Sequence, residues 1–131
     1  MPPRFSQAEL LEQLCEFFNA GGEFRSLVFR HKYNVTGVNK TKRTYDVFLH
    51  VGKKTRTISF DDLYLLYAEL YRISRMERDY LQVDGNCKRI FGHNRYTHTP
   101  GATLFAILPH LDNAIEVAKV NEQTELVVRS P

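Results

Sequence analysis

From Glu9 to Phe18 the chain repeats with a helical period. Leu10, Leu11, Leu14, Phe17 and Phe18 fall on one side, and Glu9, Glu12 and Glu16 on the other. Ser6-Gln7-Ala8-Glu9 is a capping box that starts this helix, and Gly21-Gly22 stops it. The period then drops to two. Leu27, Phe29, His31, Tyr33 and Val35 alternate with Val28, Arg30, Lys32, Asn34 and Thr36, which predicts a long half-buried strand turned by Gly37-Val38-Asn39-Lys40. Arg43, Tyr45, Val47 and Leu49 alternate with Thr44, Asp46, Phe48 and His50 in a second strand. Val51-Gly52-Lys53-Lys54 turns the chain into a third, Thr55 to Phe60. Short loops between the three strands predict an antiparallel meander.

Helical spacing returns at Leu63, Leu66, Tyr67 and Leu70 and runs to about Arg75, with an N-cap and acids at Ser59 to Asp62. Tyr64, Tyr67 and Tyr71 line the edge of this helix. Tyrosines so placed pack their rings and keep a polar tip at the rim of a core. Tyr80 to Val83 and Cys87 to Phe91, around Asp84-Gly85-Asn86, fit either a hairpin or a short helix. Thr99 and Pro100 have the chemistry of an N-cap and first helical residue. Ala102, Leu104, Phe105, Ala106, Ile107, Leu108 and Leu111 follow, apolar on every side, so this helix should be buried, with Pro109 ending or kinking it. Ala114 to Val120 and Glu125 to Arg129 read as a terminal hairpin around Asn121 to Thr124. The fold class expected is α+β: an antiparallel β-meander covered by helices, with a buried C-terminal helix and a terminal β-hairpin, forming one globular domain over residues 1–131.

Composition narrows the function classes. The chain is 43% hydrophobic and 25% charged, as soluble domains are. Two cysteines, Cys15 and Cys87, are too few for a disulfide framework and read as reduced thiols of a cytoplasmic protein. No signal peptide is legible at Met1-Pro2-Pro3-Arg4, and the apolar run Leu104 to Pro109 is far short of the ~20 residues that cross a bilayer, so no membrane association is expected.

Charge changes the picture more. The net charge is only +3, but Arg25, Arg30, Lys32, Lys40, Lys42, Arg43, Lys53, Lys54 and Arg56 face a single acid, Asp46, within the meander. Eight of these, Arg30, Lys32, Lys40, Lys42, Arg43, Lys53, Lys54 and Arg56, make a candidate nucleic-acid face. The bland alternative is that they keep the sheet soluble and block edge pairing. A second basic stretch, "CKRIFGHNRYTHTPGAT", carries Lys88, Arg89, His93, Arg95, Tyr96, His98 and Gly101. With no acid among them, and with the expected helix start behind them, these form a candidate anion-binding loop. Arg95 can fork two hydrogen bonds onto a phosphate, and His98 would stand beside the N-cap as a neutral donor.

Other chemistries fit less well. Cys87, His93 and His98 are spaced C-x5-H-x4-H, without the second ligand pair of a structural zinc site, and no metal site is assigned. No phosphate-cradling, nucleophile-elbow or zinc-protease motif occurs, so no catalytic residue and no cofactor is assigned. A metal-free phosphodiesterase built on His93 or His98 ranks below a non-enzymatic function. A winged helix is disfavoured because the apolar helix after Pro100 has no polar side chains to offer base edges.

The stretch "NRYTHTPGATLFAILPHLD", preceded by the meander and by "ISFDDLYLLYAEL", resembles small uncharacterised proteins of bacterial mobile elements, integron gene-cassette products among them. That resemblance implies a short bacterial cytoplasmic protein, in some cases a binding module or an oligomer, and it transfers no functional residue. The expectation is therefore a small module that binds nucleic acid or another anionic partner through its basic sheet face and the 88–101 loop. The rival is a protein-interaction or structural module, meeting an acidic protein or a second copy of itself.

Overall fold

Two serines start the first two helices. In the computed structural model, which describes residues 2–77, 84–93, 95–96, 104–120 and 122–129, α1 (Gln7–Asn19) begins at Ser6. Ser6 Oγ accepts from the Glu9 amide at 3.2 Å, and Glu9 returns a carboxylate to the Ser6 amide at 3.1 Å. The helix closes in a Schellman turn, with Gly22 N–H donating to Phe17 O (2.9 Å) and Gly21 N–H to Phe18 O (3.1 Å). Gly22 is fixed twice over. Its φ is +65°, and a Cβ there would stand 2.8 Å from the Val35 carbonyl oxygen. The second helix, α2 (Phe60–Ile73), starts at Ser59, whose hydroxyl accepts from the Asp62 amide at 3.4 Å.

Between these helices lie β1 (Glu23–Arg25), β2 (Lys32–Asn39), β3 (Thr44–Leu49) and β4 (Lys54–Ser59), an antiparallel sheet in the order β1-β2-β3-β4. After α2 come β5 (Arg75–Glu77), α3 (Asp84–Phe91), a 3-10 turn (Phe105–Ile107), α4 (Leu108–Leu111), β6 (Ile115–Val120) and β7 (Gln123–Val128). The last two strands form a hairpin, and β5 joins it in a second sheet ordered β5-β7-β6. Helix α1 packs on β2, α2 and α4, while α2 packs on β4 of one sheet and on β5 and β7 of the other. The core lies between them. Tyr33, Val35, Tyr45, Val47 and Ile58 meet Leu10, Leu14, Leu63, Leu66, Leu70, Phe105 and Ile107, all buried. The fold is the expected α+β, with an antiparallel sheet, helical cover and terminal hairpin.

Several local expectations give way to longer-range chemistry. The first strand does not run from Leu27. Ser26 closes a loop over residues 26–31: its hydroxyl accepts from the His31 amide (2.9 Å) and its own amide donates to the His31 carbonyl (3.0 Å). Arg30 takes a left-handed φ of 57° to make the turn. Leu27 stays buried, but Phe29 is thrown into solvent. The chain also forms a short strand before this loop, pairing Phe24 with Tyr33, so the sheet has four strands where alternation alone suggests three. Strand β2 runs on through Gly37 to Asn39, because Thr36 is an extra residue between the Val35↔Val47 and Gly37↔Asp46 pairs. Residues 84–91 resolve the hairpin-or-helix alternative as a helix. Pro109 does not end the apolar helix; it lies in the first turn of α4, where a missing N–H costs no hydrogen bond. Leu104 to Leu108 and Leu111 are buried as expected. The expected start at Thr99 and Pro100, the strand residues 80–83 and Asn121 lie outside the described residues.

The tyrosine stripe acts as a clamp. Tyr64 donates to the Phe5 carbonyl (3.0 Å), and the Phe5 amide donates to the Tyr67 hydroxyl (3.1 Å). Tyr67 and Tyr71 both donate to Asp112 Oδ2, at 2.8 and 2.6 Å. Asp112 Oδ1 accepts from the Ala114 amide at 2.9 Å in an Asx turn that leads into β6. One buried carboxylate thus joins the N-terminal segment, α2 and the terminal hairpin.

Burial, and then the hydrogen bond to Asp112, push the Tyr71 phenol up to about 12, and the same two causes raise Tyr67 further. An unfolded tyrosine titrates near ~10. Above that pH the unfolded chain sheds protons that the fold retains, so stability is complete below about pH 10 and falls as pH rises through Tyr71's folded value. Urea midpoints measured from pH 8 upward should hold to about pH 10 and then drop, and Tyr71→Phe should flatten the drop. A midpoint unchanged to pH 12 would contradict the clamp.

Candidate nucleic-acid interface

The alternation of the sheet decides where its cations go. Val35 pairs with Val47 and Val47 with Arg56, so Arg56 sits in the core-facing register of β4, as does Lys54 opposite Leu49. The opposite face carries Glu23, Asn34, Phe48 and Thr55 in one cross-strand row, Asp46 and Thr57 in another, and Arg25 with Lys32 at its end. The expected single basic face is therefore not what forms. Lys40, Lys42 and Arg43 lie in the β2–β3 turn, and Arg30, Lys32, Lys53 and Lys54 lie at the other end of the strands, ~20 Å away for a six-residue strand. At the first of these ends Arg43 is engaged by Asp61 (2.9 Å) and Gln7 (2.8 Å).

The second end has a different character. The 26–31 loop and the β3–β4 turn stand side by side there, because β2 begins where β3 ends: the His50 amide donates to the Lys32 carbonyl at 3.2 Å. Phe29 is 76% exposed and Val51 61%, the two most exposed large apolar side chains described. The same end of the sheet carries Arg25, Arg30, Lys32, Lys53 and Lys54. Among the described residues, the acid paired with cations at this end is Glu23, 3.2 Å from Lys32 and 3.8 Å from Arg25. The His31 ring lies 5.9 Å from Phe29, and on the outer face the His50 ring lies 4.7 Å from Phe48. His50 Nε2 is held by Asn34 Oδ1 at 2.7 Å, which fixes its ring plane. At this end the His110 ring stacks on Phe17, and partial burial, with Arg30 nearby, lowers its pKa. Exposed rings among cations and few acids can stack bases and track a phosphate backbone.

The loop residues follow another logic. Lys88 and Arg89 are exposed on the last turn of α3, and Arg89 borders a groove with Leu65, Glu69, Arg72 and Ile90. Arg95 and Tyr96 line a separate cleft beside β4. His98 and Gly101 lie outside the described residues. His93 and Tyr96 converge on Asp62, a side chain that is buried in the first turn of α2. Tyr96 donates to Asp62 Oδ2 at 2.7 Å, His93 Nε2 lies 2.9 Å from the same oxygen, and Arg95 approaches it at 3.7 Å. The Arg95 amide donates to His93 Nδ1 at 3.1 Å. That bond leaves the ring proton on Nε2, aimed at Asp62. Both nitrogens are occupied, so His93 has no free position from which to take a substrate proton, and the phosphodiesterase role considered for it loses its base. Burial and the bond to Asp62 hold the Tyr96 phenol well above its usual range, so Tyr96 stays a neutral donor.

Comparison with protein-family models, curated proteins and solved structures gives no match. Among the described residues no group of three or more His, Cys, Asp or Glu is placed to hold a metal ion, and no helix is long and apolar enough to cross a membrane. Sequence reasoning missed Asp62 as an anchor, because an acid in a first helical turn is ordinary. It also missed the exposure of Phe29, which alternation assigned to the core face.

His93→Ala should lower stability by ~1–3 kcal/mol, because it removes one donor from a buried carboxyl group. Chemical denaturation measures this. Oligonucleotide affinity, measured on the same variant, should be unchanged.

Proposed function

We propose that this chain is a binding module for single-stranded nucleic acid, gripping it weakly and without base preference at the end of the sheet formed by the 26–31 loop and the β3–β4 turn. The observation that supports this reading is Phe29, 76% exposed at the sheet end that also carries Arg25, Arg30, Lys32, Lys53 and Lys54. A lone exposed phenylalanine loses the free energy of burial, and the cations at the same end disfavour a purely apolar partner. Base stacking uses both features: the ring takes a base face while the cations neutralise phosphates. The loop supplies the rigidity, since Ser26 clamps it across His31 and a planar ring adds little side-chain entropy.

A second reading rests on the same surface. Val28, Phe29 and Val51 are each exposed at this end of the sheet and suit an apolar contact with another protein or a second copy of this chain. Salt separates the two. Displacing counterions from three to five phosphates gives a slope of about −2 to −3.5 in log K against log salt, whereas apolar contact strengthens slightly with salt.

Fluorescence anisotropy with a random single-stranded oligonucleotide at low salt tests the proposal. Binding tighter than ~10⁻⁴ M, falling steeply with salt, is expected. Phe29→Ala should weaken it by roughly 5- to 150-fold, the equivalent of ~1–3 kcal/mol for one stacked base, while stability stays within ~0.5 kcal/mol because the side chain is exposed. Absence of binding at low salt, or binding indifferent to Phe29, rejects the reading.

A further inference from the structure

Strand β4 is an outer edge of its sheet, and a cleft of about 380 Å³ runs along it, lined by Thr55, Arg56, Thr57, Ile58, Ser59, Arg95, Tyr96 and Leu104. The chemistry of this cleft is unbalanced. Arg56 is drawn into the core-facing register, opposite Val47 and two residues from the buried Ile58. Its Nε is buried and makes no hydrogen bond. A buried guanidinium N–H without an acceptor is costly, of order 1–3 kcal/mol, and a folded chain rarely tolerates one without a reason. Arg95 stands at the mouth, its side chain 68% exposed and 3.7 Å from Asp62 Oδ2. Tyr45, paired with Ile58 across the strands but outside the cleft's lining, holds a second buried donor without a partner, its hydroxyl. Burial, with Tyr96 and Asp62 near, holds that phenol far above its usual range, so it keeps its proton. The opposing charge is Asp62, already satisfied by Tyr96 and His93.

We infer that this cleft is a binding site for a phosphate monoester, with Arg56 and Arg95 on either side of the phosphate. Two guanidinium groups with unoccupied N–H donors match the fork geometry that phosphate oxygens accept. Threonine and serine hydroxyls from β4 complete the polar lining. The volume lies at the low end of the ~300–1,000 Å³ typical of small-ligand sites and exceeds what bare phosphate needs, which favours an ester carrying a small organic group. The site is separate from Phe29, and the inference does not depend on the nucleic-acid reading. The competing account of Arg56 is mechanical: an inward-pointing charge on an edge strand discourages another strand from pairing there.

Arginine Nε–Hε resonances of the ¹⁵N-labelled protein decide between them. Inorganic phosphate and a nucleoside 5′-monophosphate are titrated separately, with chloride holding the ionic strength constant. The Arg56 resonance should move and saturate with both, at lower concentration for the monoester. Arg56→Lys, which keeps the charge but loses the fork, and Arg95→Ala, which alters only an exposed side chain, should each weaken binding about tenfold or more. Saturation by phosphate at an equal or lower concentration than by the monoester would overturn the ester assignment. An Arg56 resonance that does not move, shifts confined to Arg25 and Arg30, or undiminished binding in Arg56→Lys would each overturn the site. An uncharged Arg56→Gln protein that self-associates while the parent binds no phosphate would assign the arginine to edge protection.

Discussion

A carboxyl group cannot be taken out of water without donors, and two such groups organise this molecule. Asp112 and Asp62 are 1% and 5% exposed. Asp112 draws in Tyr67, Tyr71 and the turn into β6; Asp62 draws in Tyr96 and His93. Both sets of bonds converge on α2, which supplies Asp62 from its first turn and the two tyrosines from later turns. The helix therefore holds His93 and Tyr96 at one end and the N-terminal segment with the terminal hairpin at the other. An unpartnered buried carboxyl costs several kcal/mol, so these partners are obligatory once the acids are inside.

That constraint reassigns the residues that look chemical. In the sequence, histidines and tyrosines beside arginines invite a catalytic or metal reading. In the fold, His93, Tyr96, Tyr67 and Tyr71 direct their donors to the internal carboxyl groups of Asp62 and Asp112. Among the described residues, two places carry groups still open to a partner: the 26–31 loop with Phe29, and the cleft at the outer edge of β4 with Arg56 and Arg95. The two differ in kind. The first is an exposed ring near cations on a clamped loop, while the second is a lined cleft holding a buried Arg56 N–H that lacks an acceptor.

Much of this architecture was legible from local pattern. The capping box at Ser6, the N-cap at Ser59, the tyrosine stripe, the strands around Tyr45 and Ile58 and the terminal hairpin each carry their own signal within a few residues. The features missed are set by distant partners. A three-residue strand such as β1 or β5 has too few positions for a period, and its existence depends on Tyr33 or Leu126 being there to pair with. The 26–31 loop breaks an otherwise good alternation because Ser26 offers the backbone another set of hydrogen bonds. The eight candidate cations were correctly seen as abundant, but a one-dimensional count cannot tell a turn from a face. Of the loop candidates, Arg95 and Tyr96 share a cleft, whereas Lys88 and Arg89 sit on α3.

Backbone amide mapping tests most directly whether partner binding occurs at the free end of the sheet and not around the histidine that looks chemical. A ¹⁵N-labelled protein titrated with a short single-stranded oligonucleotide should show shifts concentrated at Phe29–Lys32 and His50–Lys54, with the amides of His93, Arg95 and Tyr96 still. Shifts centred on 93–96 with the sheet end silent would contradict this account.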